Sequence, residues 1–418
     1  MFGIGNSVVV GYDISTKYAQ ISYMAKGDDM PKTISAKDGV EQFNIPVCLF
    51  KRLEVNQWFY GEDAISYSEM EEGQLVDNLW ERALVGEKVV VVEEEFDPVA
   101  LLLLYIKRSL TLILRDVKKD DIAGIMFTVP KLTKRAIEVL EQVVGMMNLG
   151  DTKIGFQGRE ESIYYYIVNQ PEEMRKYGVM VYDYSEEYMM SLYYHENRNT
   201  SPTVAFVDEL EHPQLSLGME EQDGRFLEIV ETTIGEKLIS CAYLIGDGFG
   251  GDWCNESLKE LCRNRRAFRG NNLYSRGACY AMRSRLEKTG SSQSRVFLGK
   301  DKLKANVGMD IRRGRDESYL ALLNGGENWF DSKVSYEMIL DKGNSFTLSI
   351  MPLDGREVRN VEIVLEGPEE REAMATRIKL EAIMESENML RVNVTDLGFG
   401  EIYPATYQLF TKEIDINE

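Results

Sequence analysis

Few residues have the type and setting for chemistry. The β-branched run at Ser7–Val10 leads through Gly11 and Tyr12 to Asp13. A small polar turn follows, Ser15-Thr16-Lys17, and alternation resumes to Met24, which predicts a strand hairpin whose turn opens on a carboxylate. Read by itself, such a carboxylate closes the turn. Further along, the apolar strand Ala242-Tyr243-Leu244-Ile245 runs into Gly246-Asp247-Gly248-Phe249-Gly250-Gly251 ahead of a helix. That turn is either a ligand-binding turn or a plain strand-to-helix connection. Glu160 opens a helix expected over Glu160 to Val168, where an acid is favoured by the helix dipole.

Other chemistries find little support. Cys48, Cys241, Cys254, Cys262 and Cys279 have no paired ligand spacing and read as buried free thiols of a reducing compartment. His195 and His212 sit in polar surroundings without a second ligand type, as isolated surface histidines do. With 48 basic against 69 acidic residues the net charge is −21, a field that repels phosphate backbones and anionic lipid, so neither nucleic acid nor a membrane is expected as a partner. The N-terminus lacks a basic region followed by an apolar stretch, so no signal peptide is expected and the chain is placed in the cytoplasm.

The elements around these residues are those of a multidomain globular protein, since 418 residues exceed one compact core of roughly 100–200 residues. Asp97 and Pro98 cap an apolar helix that reaches Leu114. A buried strand, Ile122 to Val129, leads through Pro130 into an amphipathic helix, Lys131 to Met147. A second hairpin begins at Tyr177, and its order of parts suggests a duplicated lobe. Asn197 to Gly224 reads as a loop with one strand, Phe226 to Cys241 as a helix, and two further helices are expected around Leu258 and Ala278. The serine-rich stretch Thr289 to Ser294 is the best linker. From about Ala305 short alternating segments take over: SYLALL, SYEMIL, SFTLSIM, VEIVL, TRIKLEAIM and MLRVNV. They predict an all-β sandwich of roughly eight strands.

Five stations in this order resemble the sugar kinase, actin and heat-shock superfamily, and within it the DnaK-type chaperones of seventy kilodaltons. VVVGYDIST resembles the first phosphate loop, and GIMFTVPKLTKRAIEVLEQVVGMMNL the family's T-V-P segment. GFQGREESIYYYIV is similar to the connecting helix, and LIGDGFGG with NNLYSRGACYAM to the adenosine turn and its helix. RIKLEAIMESENMLRVNVTDLGFGE is similar to the end of the peptide-binding sandwich. The resemblance implies an actin-like, two-lobed α/β ATPase fold of ribonuclease H-like lobes. Residues 1–175 form lobe I, 176–290 a reduced lobe II, 291–304 a linker and 305–418 the all-β sandwich.

The resemblance also implies site roles. Asp13 and Asp183 match the aspartates that reach magnesium-bound water, and Ser15, Thr16 and Lys17 match the first phosphate turn, where a lysine could still face a phosphate. Glu160 matches the acid that polarises attacking water, second to its plainer reading as a helix-start acid. Gly246, Asp247 and Gly248 match the adenosine turn. The departures are substantial. Ser185, Glu186 and Glu187 replace the three glycines of the second turn, and no lysine follows Gly61-Glu62-Asp63-Ala64. Two carboxylates set ~4 Å from phosphate oxygens cost several kcal/mol at an effective dielectric of ~20. Tyr164-Tyr165-Tyr166 reads as core filling.

The expected function is therefore a chaperone-like scaffold with a degenerate nucleotide site and no resident cofactor. Its partner would be a polypeptide or protein subunit, with an intact DnaK-type chaperone as one candidate. The alternative is a slow ATPase that uses ATP or ADP with magnesium at Asp13, Glu160 and Asp183, with nucleotide-controlled peptide binding.

Overall fold

The computed structural model describes residues 7–37, 39–53, 55–215, 219–270, 272–287, 295–314, 316–365 and 371–417. They fall into two compact units, Met1–Glu196 with Ala205–Gln293, and Asn197–Val204 with Ser294–Glu418. The linker expected at Thr289 to Ser294 lies outside the described residues. Within the span expected to be linker, Arg295–Phe297 forms a strand, because Phe297 has core to enter and is buried.

Unit 1 uses one sheet plan twice. In the first sheet the strand Val8–Ile14, buried throughout, pairs antiparallel with Tyr18–Ala25 and parallel with Ile122–Val129, which pairs parallel with Lys153–Gly158. In the second, Gly178–Tyr184, also buried throughout, pairs antiparallel with Met189–Asn197 and parallel with Ile239–Ile245, which pairs parallel with Arg266–Arg269. Strands covered on both faces need continuous apolar runs, and both central strands have them.

The helices start where their caps lie. Asp97 accepts from the Val99 N–H at 2.8 Å with Pro98 in the first turn, and Thr133 accepts from Ala136 N–H at 3.1 Å. The first of these helices spans Pro98–Leu110 and tightens to a 3₁₀ turn over Thr111–Arg115. The helix expected at Phe226 to Cys241 is instead Met219–Ile234, followed by the strand Ile239–Ile245 that holds Cys241. Gly235 ends it, at φ +47 and with its N–H bonded to Glu231 O. Four of the cysteines are buried, and Cys262 is exposed because it sits at the end of a surface helix, Asn255–Leu261. Tyr164 is buried, while Tyr165 and Tyr166 pack against a cluster containing Val9, Met126 and residues of Leu273–Glu287.

The helix Leu273–Glu287 is the spine of unit 1, and glycines let it approach. A Cβ on Gly11 would lie 2.0 Å from Ser275 O, and one on Gly277 would lie 2.0 Å from Ser162 O in the helix Arg159–Val168. These contacts fix where Arg159 begins its helix.

Unit 2 contains two four-stranded antiparallel sheets. One orders Asp316–Leu323, Ala305–Arg313, Ser345–Pro352 and Arg359–Val364; the other orders Lys333–Leu340, Thr376–Met384, Met389–Asp396 and Leu409–Asp415. The six alternating segments read from the sequence lie on six of these strands. The Asp396-Leu397-Gly398 ending is a structural staple. Asp396 accepts two bonds from Arg371 at 2.7 and 2.8 Å, and further bonds from Gly398 N–H and from Thr406 N–H and hydroxyl. Burial pushes its carboxyl up, but these donors outweigh burial and hold it well below the usual range. Among the described residues no helix is long and apolar enough to cross a membrane.

Since an alanine methyl at 277 would overlap the Ser162 carbonyl, Gly277→Ala is expected to destabilise the protein by about 1–3 kcal/mol. A thermal midpoint unchanged from the parent would show that the two helices are not in obligatory contact.

Candidate functional site

Each central strand delivers its aspartate at the same place. Asp13 pairs across the sheet with Gln20 and Thr128, and Asp183 with Met190 and Ile245, each one residue before its strand ends. The turns that follow are built alike. Ser15 N–H bonds Tyr18 O at 3.0 Å and Ser185 N–H bonds Tyr188 O at 2.9 Å, while the two serine hydroxyls accept from the Tyr18 and Tyr188 N–H groups. The buried tyrosine before each aspartate also finds an equivalent partner: Tyr12 OH meets Ser109 Oγ at 2.7 Å, and Tyr182 OH meets Thr233 Oγ1 at 2.8 Å. A buried phenol needs such a partner. Both stretches read Tyr-Asp-x-Ser-x-x-Tyr, at 12–18 and 182–188. That repeat is the legible signal which the comparison of element order passed over.

Between the aspartates lies Arg159, a residue the sequence reading did not single out. Its Nε donates to Asp13 Oδ1 at 3.1 Å and its Nη2 to Asp13 Oδ2 at 2.9 Å. Its Nη1 donates to Tyr188 OH at 3.0 Å and lies 3.9 Å from Asp183 Oδ2. Asp183 Oδ2 also accepts from Tyr274 OH at 2.6 Å and from Tyr188 OH at 3.0 Å, and the Tyr274 ring sits 4.4 Å from the guanidinium carbon. Arg159 is the first residue of the helix Arg159–Val168, where a cation opposes the helix dipole. That opposition amounts to about 0.3–1 kcal/mol. A charge pair ~4 Å apart at an effective dielectric of ~20 gains about 4 kcal/mol, so the carboxylates decide where the guanidinium sits.

The carboxylates are 3% and 4% exposed, so their state depends on Arg159. Burial pushes both carboxyls upward, and the guanidinium pulls both back. Asp183 is further helped by the Tyr274 and Tyr188 hydroxyls. Burial works against the charge on Arg159, but Asp13, Tyr188, Tyr274 and Asp183 together more than restore it.

The mouth of the cleft is closed by a second bridge. Lys17, expected to face a phosphate, reaches across to the other turn, 3.1 Å from Glu186 and 3.6 Å from Glu187. Thr16 bonds Glu81. A cavity of about 270 Å³ remains, lined by Asp13, Ser15, Thr16, Lys17, Asp183, Gly246 and Asp247 together with Arg159. Glu160 is buried, and the place facing the cavity belongs to its neighbour Arg159. Gly248 lies against its own lobe, where a Cβ would meet the Tyr184 ring at 2.4 Å, and a Cβ on Gly246 would lie 2.1 Å from Tyr184 O. Those two glycines therefore serve packing of the strand-to-helix turn. Among the described residues no cluster of three or more His, Cys, Asp or Glu is arranged to hold a metal. Because protein donors already satisfy both aspartates, the residues present do not fit a magnesium ion between them.

Residues 30–300 match the model of a family of unknown function (DUF5716), C-terminal. The chain belongs to that family. Residues 302–416 match a domain of unknown function (DUF8552), so the junction of the two matches falls close to the boundary between the two units. No curated protein matches the chain. Within this DUF5716 protein the matched region contains Arg159, Asp183 and Tyr274, whereas Asp13 precedes it.

Arg159→Met would strand two buried carboxylates and is expected to cost about 3–5 kcal/mol. Without the guanidinium, burial acts unopposed by Arg159 and the folded-state carboxyls rise further above their unfolded values. A carboxyl raised on folding stabilises below its unfolded value and loses that contribution as pH climbs through the folded one. The deficit relative to the parent should thus be larger at ~pH 8 than at ~pH 5, and Asp13→Asn in the same background should recover part of it. Melting curves across that range test this, and a deficit constant with pH would overturn the assignment.

Proposed function

We propose that this DUF5716 protein is a chaperone-like scaffold built on two actin-like lobes, whose nucleotide cleft is closed by its own side chains and which binds a polypeptide or protein subunit without hydrolysing ATP. The observation that carries this reading is the bidentate seat of Arg159 on Asp13, within 3.9 Å of Asp183. Entry of magnesium with a triphosphate would have to break that buried pair. A penalty of about 3–5 kcal/mol weakens binding by roughly two to three and a half orders of magnitude. Glu186 and Glu187, held by Lys17, add like charge where phosphates would approach.

The partner belongs to unit 2 in this reading. An open groove of about 1050 Å³ there is lined by Met309, Met338, Phe346 and Met374 together with charged side chains such as Arg312 and Glu337. Its methionines adapt to varied apolar side chains. The strand Lys333–Leu340 is the outer strand of its sheet and offers an edge for β-augmentation by an extended segment. An intact DnaK-type chaperone is one candidate for that subunit. Buried free thiols suit a reducing cytoplasm.

Calorimetry with ATP and magnesium on the whole protein tests the reading. No heat is expected below millimolar nucleotide. Micromolar binding, with turnover lost in Asp13→Ala, would replace the scaffold by a slow ATPase.

A further inference from the structure

One stretch of unit 1 carries charge opposite to the rest of the chain. Residues 259–288 hold nine basic side chains and two acidic ones, while the remainder of the chain holds 39 basic and 67 acidic. The strand Arg266–Arg269 within this stretch is the outer strand of the second sheet. Its Phe268 is 38% exposed and stacks on Tyr243 at 5.3 Å, and Tyr243 meets the edge of Tyr166 at 5.5 Å. The Arg276 guanidinium lies 5.7 Å from the Tyr166 ring centre, beside Met30, which is 62% exposed. On the same helix Arg283 lies over Tyr280 at 5.2 Å and donates to Asn169 at 3.3 Å. Arg276, Tyr280 and Arg283 follow at i, i+4 and i+7, one face of a helix.

The arginines of this stretch divide into two groups. Arg263 and Arg265 pair with Glu260, Arg266 with Glu173, and Arg285 with Glu161. Among the described residues Arg276 and Arg283 pair with no carboxylate and lie against tyrosine rings, whereas Arg269, on the other face of its strand from Phe268, donates to the Gly251 carbonyl at 2.8 Å.

We infer that this face docks an extended acidic polypeptide segment. Its carboxylates meet Arg276 and Arg283, an apolar side chain covers Phe268, and its backbone runs beside the strand Arg266–Arg269. Charge complementarity selects a short acidic segment over a nucleic acid, although aromatic rings interleaved with arginine would suit either. A phosphate backbone extending past the patch meets the strongly acidic remainder of the surface. A short peptide held within a Debye length of about 10 Å feels chiefly the local arginines. This surface is independent of whether the cleft takes nucleotide.

The test is fluorescence anisotropy on the whole protein with a labelled peptide of alternating Glu and Val residues, beside a Lys-Val peptide and a thymidine oligonucleotide. The Glu-Val peptide should bind in a salt-sensitive manner, while the Lys-Val peptide should not bind. Arg276→Glu with Arg283→Glu should weaken binding by about tenfold or more, and Phe268→Ala by a smaller factor. If the double variant melts early, Arg283→Gln alone should still weaken binding several-fold with an unchanged melting curve. Absence of binding, affinities insensitive to these substitutions, or tighter binding of the oligonucleotide than of the peptide would each overturn the proposal.

Discussion

A single buried guanidinium organises unit 1. Arg159 neutralises Asp13 directly and Asp183 at slightly longer range, so two hairpins from two sheets converge on one cation that belongs to the chain. A tethered arginine differs from a bound ion in two respects: it is always charged, and it is present at fixed stoichiometry. Convergence of the hairpins therefore does not depend on a dissociable ligand. Lys17, which bridges to Glu186 and Glu187 at the rim, repeats the device in solvent, where such pairs contribute little. The buried pair carries the energy and the exposed one narrows the entrance.

The symmetry around that cation explains why two aspartates are there at all. The same seven-residue motif closes each central strand, with the same serine turn and the same buried tyrosine held by a helix hydroxyl. What breaks the symmetry is the side chain each following helix delivers: Arg159 from Arg159–Val168 and Tyr274 from Leu273–Glu287. The position of Arg159–Val168 is set by close packing on Leu273–Glu287, where Gly277 allows contact with Ser162. Backbone packing some distance along the helix thus decides which side chain reaches the charge cluster.

Charge is distributed with similar asymmetry over the molecule. An overall balance of −21 argues against polyanionic partners, yet it conceals a basic stretch whose arginines lie along one sheet edge and one helix face. Average charge describes solubility and long-range encounter; recognition depends on the groups within a Debye length.

The elements were largely legible in the chain. Asp97-Pro98, the strand into Pro130 and the alternating segments beyond Ala305 declared themselves through capping and period-two patterning, which are local properties. The helix Met219–Ile234 was misplaced at both ends: the apolar residues from Ile239 onward belong to the next strand, and Gly235 was a readable stop ahead of them. The carboxylates at 13 and 183 could also be read, since each ends an apolar strand in a polar turn. Local pattern sufficed to put both acids at the ends of apolar strands, and the family resemblance to set Glu186 and Glu187 against small residues in the second turn. Only the tertiary structure decided that Arg159, rather than Glu160 beside it, enters the cleft. Adjacent residues at a helix start point about 100° apart, and which of them faces the acids depends on how the helix docks, a long-range contact that no local pattern encodes.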